Sequence, residues 1–313
     1  MHTDVIRPQR YKGSGLLLGA YLLWGALTIY WKLLDTVSAY EILAHRVIWC
    51  FLFVNIVLLL KGQFNSSWQE IKIVLSSGRS ALAMIAASLL ISLNWFTYIW
   101  AVTNERILET SLGYYINPLI TVLLGIAVLK ERLPFWQLIA FLLAALGVLY
   151  MTFQFGSLPW ISLALALTFG LYGLVKKSTC LSALSSITLE TLLVIPVALG
   201  YLIRLYANEG GALQILNIKI TLLLLGSGAV TALPLLLFSA GVKLMPLSAA
   251  GFFQYLSPTI SLFIGIFMFN ETFTAVHAIT FACIWLALLL YSLSHAGLLP
   301  EKRAEFARGR YKR

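Results

Sequence analysis

Ten apolar stretches, each bounded by polar or charged residues, account for most of the chain: residues 14 to 34, 42 to 61, 81 to 103, 107 to 129, 133 to 153, 158 to 175, 186 to 206, 219 to 241, 246 to 269 and 273 to 294. A helix needs about 20 mostly apolar residues to cross the hydrocarbon of a bilayer, and these stretches are close to that length. Apolarity runs all round each segment and does not alternate with polar positions, which separates them from the amphipathic helices of a soluble core. The pattern predicts an all-α integral membrane fold with ten transmembrane helices. Composition points the same way, since 60% of the 313 residues are apolar and only 11% are charged, far from the balance of a soluble domain. The longest polar segments, Gly62 to Arg79, Asn208 to Asn217 and the tail after Ala296, are too short to hold a soluble domain. A basic N-terminal segment (Arg7, Arg10, Lys12) before an apolar run resembles a secretory signal. The run carries Trp24, Tyr30 and Lys32 and has no small-residue cleavage site, so it is kept as the first helix.

The formal net charge is +10, but the basic residues sit in short clusters at span ends and not on a soluble face, so no nucleic-acid partner is expected. With the N-terminus in the cytoplasm, 17 of the 22 Lys and Arg residues fall on the inner side, among them Lys61, Lys72, Arg79, Lys130, Arg132, Lys176, Lys177 and Lys243. That excess predicts a multi-pass protein with both termini cytoplasmic. Cys50, Cys180 and Cys283 have neither disulfide nor metal-ligand spacing and read as small apolar fillers. No cofactor and no metal site is expected.

An internal repeat organises the chain. At an offset of 140, Pro118, Gly125 and Glu131 fall on Pro258, Gly265 and Glu271, so Pro-x6-Gly-x5-Glu closes the fourth and the ninth stretch. At an offset of 145, Trp24-Gly25 and Lys32 fall on Phe169-Gly170 and Lys177. Two five-span copies are expected: a cytoplasmic segment 1-13, a first repeat 14-153, a second repeat 154-295 and a basic cytoplasmic tail 296-313. An odd number of spans per copy turns the second upside down, the inverted-repeat plan of many secondary transporters.

Such carriers hold their solute near mid-membrane, between the copies and beside interrupted helices. Pro118 and Pro258 are the helix-break candidates, against the plainer reading of a kink. Ser111 to Pro118 and Gly251 to Pro258 combine glycine, aromatics, an amide and proline, which suits an amphipathic or cationic organic solute. Tyr114, Tyr115, Asn117, Phe252, Phe253, Gln254 and Tyr255 are therefore cavity candidates, as are Trp24, Asn94, Trp95 and Tyr98; packing or interfacial belts are the competing reading. Ionisable groups in hydrocarbon are costly, which singles out Lys32, Glu41, His45, Arg46, Glu109 and Glu190 as gate or coupling candidates. Glu41 and His45 are one helical turn apart on one face, and an ion-paired gate or fold anchor is the alternative to proton carriage. Glu190 is the stronger coupling candidate, while Glu131 and Glu271 read as residues that fix helix ends. No catalytic constellation appears: His2, His45, His277 and His295 are dispersed, so the chain is not expected to be an enzyme. Gly15-x3-Gly19 admits close helix packing, including a homodimer contact.

The segments EILAHRVIW (41 to 49), NWFTYIWAV (94 to 102), SLGYYINPL (111 to 119), FGSLP (155 to 159), FGLYGLVKK (169 to 177) and GFFQY (251 to 255) resemble the EamA-type carriers of the drug/metabolite transporter superfamily, over nearly the whole chain. The resemblance implies ten spans, cytoplasmic termini, a central cavity between the halves and placement in a bacterial cytoplasmic membrane. The reading is a permease that moves a small organic metabolite or drug-like solute by alternating access, with proton coupling as one drive. The alternative is a membrane-embedded sensor or enzyme without transport.

Overall fold

The computed structural model describes residues 2–103, 107–155, 160–208, 210–212, 217–269 and 273–300. Every regular element among them is an α-helix: α1 (His2–Lys32), α2 (Ala39–Leu60), α3 (Phe64–Ser76), α4 (Gly78–Thr103), α5 (Ile107–Ala127), α6 (Phe135–Phe155), α7 (Trp160–Ser178), α8 (Ala183–Asn208), α9 (Ile218–Leu244), α10 (Leu247–Gln254), α11 (Leu256–Phe269) and α12 (Ala275–His295). Nine segments among the described residues are long and apolar enough to cross a membrane, with α10 and α11 counting together as Leu247–Met268. The remaining expected span is α5, a helix whose apolar stretch among the described residues is Leu112–Ala127.

The outer faces identify the solvent. Leu60, Phe153 and Phe267 are 83%, 80% and 76% exposed, an apolar periphery that would aggregate in water and is matched by lipid. The inside carries small and polar side chains instead, with Ser162, Ser185, Ser186, Ser227 and Thr280 completely covered. With no hydrophobic force between helices in lipid, close backbone approach and interhelix hydrogen bonds hold such a bundle. Gly228 of α9 shows the approach: a Cβ there would lie 2.2 Å from the Trp49 carbonyl carbon of α2. The Gly15-x3-Gly19 pair does not form one outward face, because a Cβ at Gly19 would meet Leu237 of α9 at 3.3 Å while Gly15 borders open space.

The main helix pairings are α1 on α9 and α7 on α4, α2 on α9 and α8 on α4, α5 on α7 and α11 on α1. Three more join α2 to α8, α5 to α10 and α6 to α12. The short α3 lies in the polar segment after α2 and packs on α4 and α8. Its Phe64, Trp68 and Ile71 recur at helical spacing, and its Glu70 accepts the Ser182 backbone N–H that leads into α8 (3.2 Å).

The two repeated prolines behave differently. α5 runs through Pro118 without interruption, so Pro118 is not a helix break, and α8 and α9 likewise pass through Pro196 and Pro234. Ahead of Pro258 the helix does divide, at Tyr255 between α10 and α11. A proline ring clashes with the carbonyl four residues earlier, here that of Gln254, the last residue of α10. The repeated motif also explains itself around Glu131. Its carboxylate accepts the Leu247 and Ser248 backbone N–H groups (2.6 and 2.8 Å) and the Ser248 hydroxyl (2.6 Å), satisfying donors at the N-terminus of α10. Gly125 makes room, since a Cβ there would sit 2.7 Å from Glu131 Oε2. The partner Glu271 lies outside the described residues.

Candidate solute site and the buried charges around it

Two polar clusters lie at opposite ends of the α2 and α8 pair. In the first, Glu41 and His45 of α2 are both buried, 3.8 Å apart. Glu41 Oε1 accepts the Tyr206 hydroxyl of α8 (3.0 Å) and the Ala212 backbone N–H (2.7 Å), so the carboxylate ties the segment after α8 to the start of α2. Trp49 Nε1 donates to His45 Nδ1 at 3.2 Å. An indole N–H can only donate, which leaves the imidazole proton on Nε2, the nitrogen facing Tyr206 (3.4 Å) and Glu41.

The second cluster centres on Glu190 of α8. Lys176 of α7 is fully covered, and its Nζ lies 2.8 Å from Glu190 Oε1 and 2.6 Å from Ser186 Oγ. Ser186 donates to the same carboxylate oxygen (2.8 Å), and Tyr172 donates to the other (3.0 Å). This corrects the charge count made from sequence, because Lys176 is a core cation and not a loop charge. At the 145-residue offset, Glu41 falls on Ser186 and His45 on Glu190, so both clusters use the same register near the start of their helix.

Arg46 lies between them. Its guanidinium is 4.5 Å from the Trp31 ring centroid and 5.2 Å from that of Trp95, and its Nε donates to Thr231 Oγ1 (3.2 Å). Thr231 is the central residue of the 27-residue α9, so this cation sits deep in the bundle. Trp95 also borders a small void with Val47, Ile91, Thr191, Leu235 and Glu190, which links Arg46 to the second cluster. The Tyr98 and Tyr114 rings, 6.2 Å apart, complete the surroundings. Tyr114 keeps 48% of its surface accessible.

Other sequence candidates are taken up by packing. Asn94 Nδ2 donates to Leu165 O and Thr168 Oγ1 of α7, both at 2.9 Å, an interhelix bond. Tyr115 packs on Phe281 of α12, and Phe252 stacks on Tyr291 at 4.1 Å; with Tyr255 they are buried in the core, so none of the three is a cavity wall. Phe253 packs partly buried against the same core. Trp24 joins Tyr21, Phe169 and Phe238 in an aromatic cluster between α1, α7 and α9. Asn117 and Gln254 are buried where α5 crosses α10, both in reach of the Thr121 hydroxyl (3.5 and 3.2 Å). Glu109 is buried in the first turn of α5, where Ser162 bonds its backbone carbonyl (2.5 Å). Lys32 is largely exposed and lies 3.7 Å from Asp35. Sequence reasoning missed Lys176, Tyr172, Trp31, Trp49, Tyr206 and Thr231. Lys176 was within reach of it, since Tyr172 and Lys176, like Ser186 and Glu190, stand one turn apart.

Apolar helices around buried, paired charges define a multi-pass integral membrane protein. The model of the EamA-like transporter family matches residues 11–153. The chain is 48% identical to the Bacillus subtilis protein named Uncharacterized transporter YojE, over 88% of this chain and 91% of that one. It is 38% identical to Protein RarD of Escherichia coli, over 90% and 94%. A solved crystal structure superposes with a TM-score of 0.70 at 16% identity, covering 90% of this chain and 98% of that one, which extends the likeness of fold to proteins of distant sequence. The chain belongs to the EamA-like transporter family, as a RarD-type member of the drug/metabolite transporter superfamily. It is a membrane transporter.

Proposed function

We propose that this transporter is a secondary carrier that moves a small organic solute across a bacterial cytoplasmic membrane by alternating access, with both termini cytoplasmic. In this reading ten spans form two inverted halves, 14-153 and 154-295. The observation that carries it is the helix pairing. Exchanging α1, α2, α4, α5 and α6 for α7, α8, α9, α10–α11 and α12 turns α1 on α9 into α7 on α4, α2 on α9 into α8 on α4, and α5 on α7 into α11 on α1, while α2 with α8, α5 with α10 and α6 with α12 map onto themselves. Two half-bundles with interchangeable contacts can trade conformations, opening a shared chamber first to one side and then to the other.

The two polar clusters then act as latches at opposite faces: Glu41, His45 and Tyr206 outside, Lys176, Glu190, Ser186 and Tyr172 inside. Both are closed here, which supports an occluded form. Glu190 and the Glu41/His45 pair are the groups through which a proton would drive the cycle, because protonating either carboxylate removes the charge that holds its latch. Reconstitution in liposomes, with flux of organic metabolites screened with and without an inward proton gradient, tests the reading. Gradient-dependent flux lost in Glu41→Gln is the expected result. No flux of any solute from correctly folded protein contradicts it.

A further inference from the structure

Lys176 and His45 each face a carboxylate, but Arg46 does not: among the described residues no carboxylate lies within 4.0 Å of it. A guanidinium has five N–H donors, and only the Nε–H is used, by Thr231. The remaining four, on the two terminal nitrogens, have no protein acceptor among the described residues. The Tyr98 and Tyr114 hydroxyls, within electrostatic reach of Arg46, likewise have no hydrogen-bond partner there, and Tyr114 keeps 48% of its surface accessible. An intramembrane arginine without a counter-charge is costly, and the faces of Trp31 and Trp95 offset only part of the cost.

We infer that the Arg46 guanidinium, with the Tyr98 and Tyr114 hydroxyls, binds the carboxylate of an organic monoanion whose apolar body lies against the Trp95 ring. This rests on the carrier reading and gives it a substrate class. A fork of N–H donors matches a single carboxylate. A phosphate dianion needs a second free cation, and Lys176 is already neutralised by Glu190. A cationic solute is disfavoured as well, because the indole faces that would hold it already carry Arg46. The aromatic wall expected from sequence to receive a cation is thus filled by the protein's own.

Binding to the purified full-length protein, read by thermal stabilisation, tests this with benzoate, phenylacetate, benzamide, benzylammonium and inorganic phosphate. The carboxylates are expected to bind at least about tenfold more tightly than benzamide, the gain of one charge-assisted pair. Arg46→Gln should erase that preference, Arg46→Lys keep part of it, and Tyr114→Phe, which retains the fold, weaken carboxylates more than benzamide. Lys219→Ala, an exposed cation on the first turn of α9, should leave the preference intact. Carboxylates no tighter than benzamide, phosphate or benzylammonium, or a preference unaltered in Arg46→Gln and Tyr114→Phe, overturns the inference. Liposome flux separates the two claims. Flux of a neutral or cationic solute with no carboxylate binding sinks this inference alone, and carboxylate binding without any flux sinks the carrier reading alone.

Discussion

Removing one charge of the Lys176–Glu190 pair should cost far more than removing both. At 2.8 Å, and with the effective dielectric of about 20 suited to protein sites, the gross attraction is about 6 kcal/mol. Most of it is spent on taking two ions out of water, so an apolar pair of similar volume can be as stable. Glu190→Leu alone is different: Lys176 stays fully buried, keeps Ser186 and loses its counter-charge, while Tyr172 loses its acceptor. Stranded buried charges cost about 3–5 kcal/mol. The double variant Lys176→Met/Glu190→Leu should return to within about 1–2 kcal/mol of the parent, so the cycle yields a coupling energy of at least about 2 kcal/mol. Unfolding by sodium dodecyl sulfate titration in mixed micelles measures all four proteins. Single variants that each cost under about 1 kcal/mol, with no coupling between them, would refute the buried pair.

Glu131→Ala should loosen the start of α10, with a loss of about 2 kcal/mol for three charge-assisted bonds at a helix N-terminus; the same titration reads it, and Glu131→Gln should lose less. Gly228→Ala places a methyl 2.2 Å from the Trp49 backbone and should lower the yield of folded protein sharply, while Gly200→Ala, which meets open space, should be silent. Partial burial pushes the Glu70 carboxyl up, yet hydrogen bonds from Ser185 and Ser182 and the Lys243 charge outweigh it and hold it below the usual carboxylate value. A folded-state value below the unfolded one means stability present above the ordinary carboxylate range and lost as pH falls through the lowered value. The protection factor of the Ser182 amide, its exchange rate set against the intrinsic rate at the same pH, should therefore fall on acidification, and in Glu70→Gln should be low at every pH.

Spans were legible because lipid demands continuous apolarity, a local property of sequence. The partners of the buried charges were not. Arg46 meets Trp31 of α1, Trp95 of α4 and Thr231 of α9, three elements that no spacing within α2 relates. Lys176 follows an apolar run and precedes a second lysine, so alone it looks like a flanking charge, and only the approach of α8 makes it a core residue. The like-patterned Pro118 and Pro258 end differently because a proline leaves one hydrogen bond unmade and the surroundings decide whether the helix closes over the gap. The helix α3 was hidden by its polar flanks although its apolar residues recur at helical spacing.

The central claim, that two half-bundles open a common chamber alternately, is tested most directly by distances across the two ends at once. Spin labels at Asp35→Cys and Asn208→Cys report one end, and labels at Lys61→Cys and the exposed native Cys180 the other, each pair joining the two halves, with Cys50 and Cys283 replaced by alanine in both proteins and Cys180 by serine in the first. In liposomes with a transported solute, the two distance distributions should each show two populations, and conditions that lengthen one should shorten the other. Both pairs lengthening together, or neither moving while solute crosses, would contradict the account.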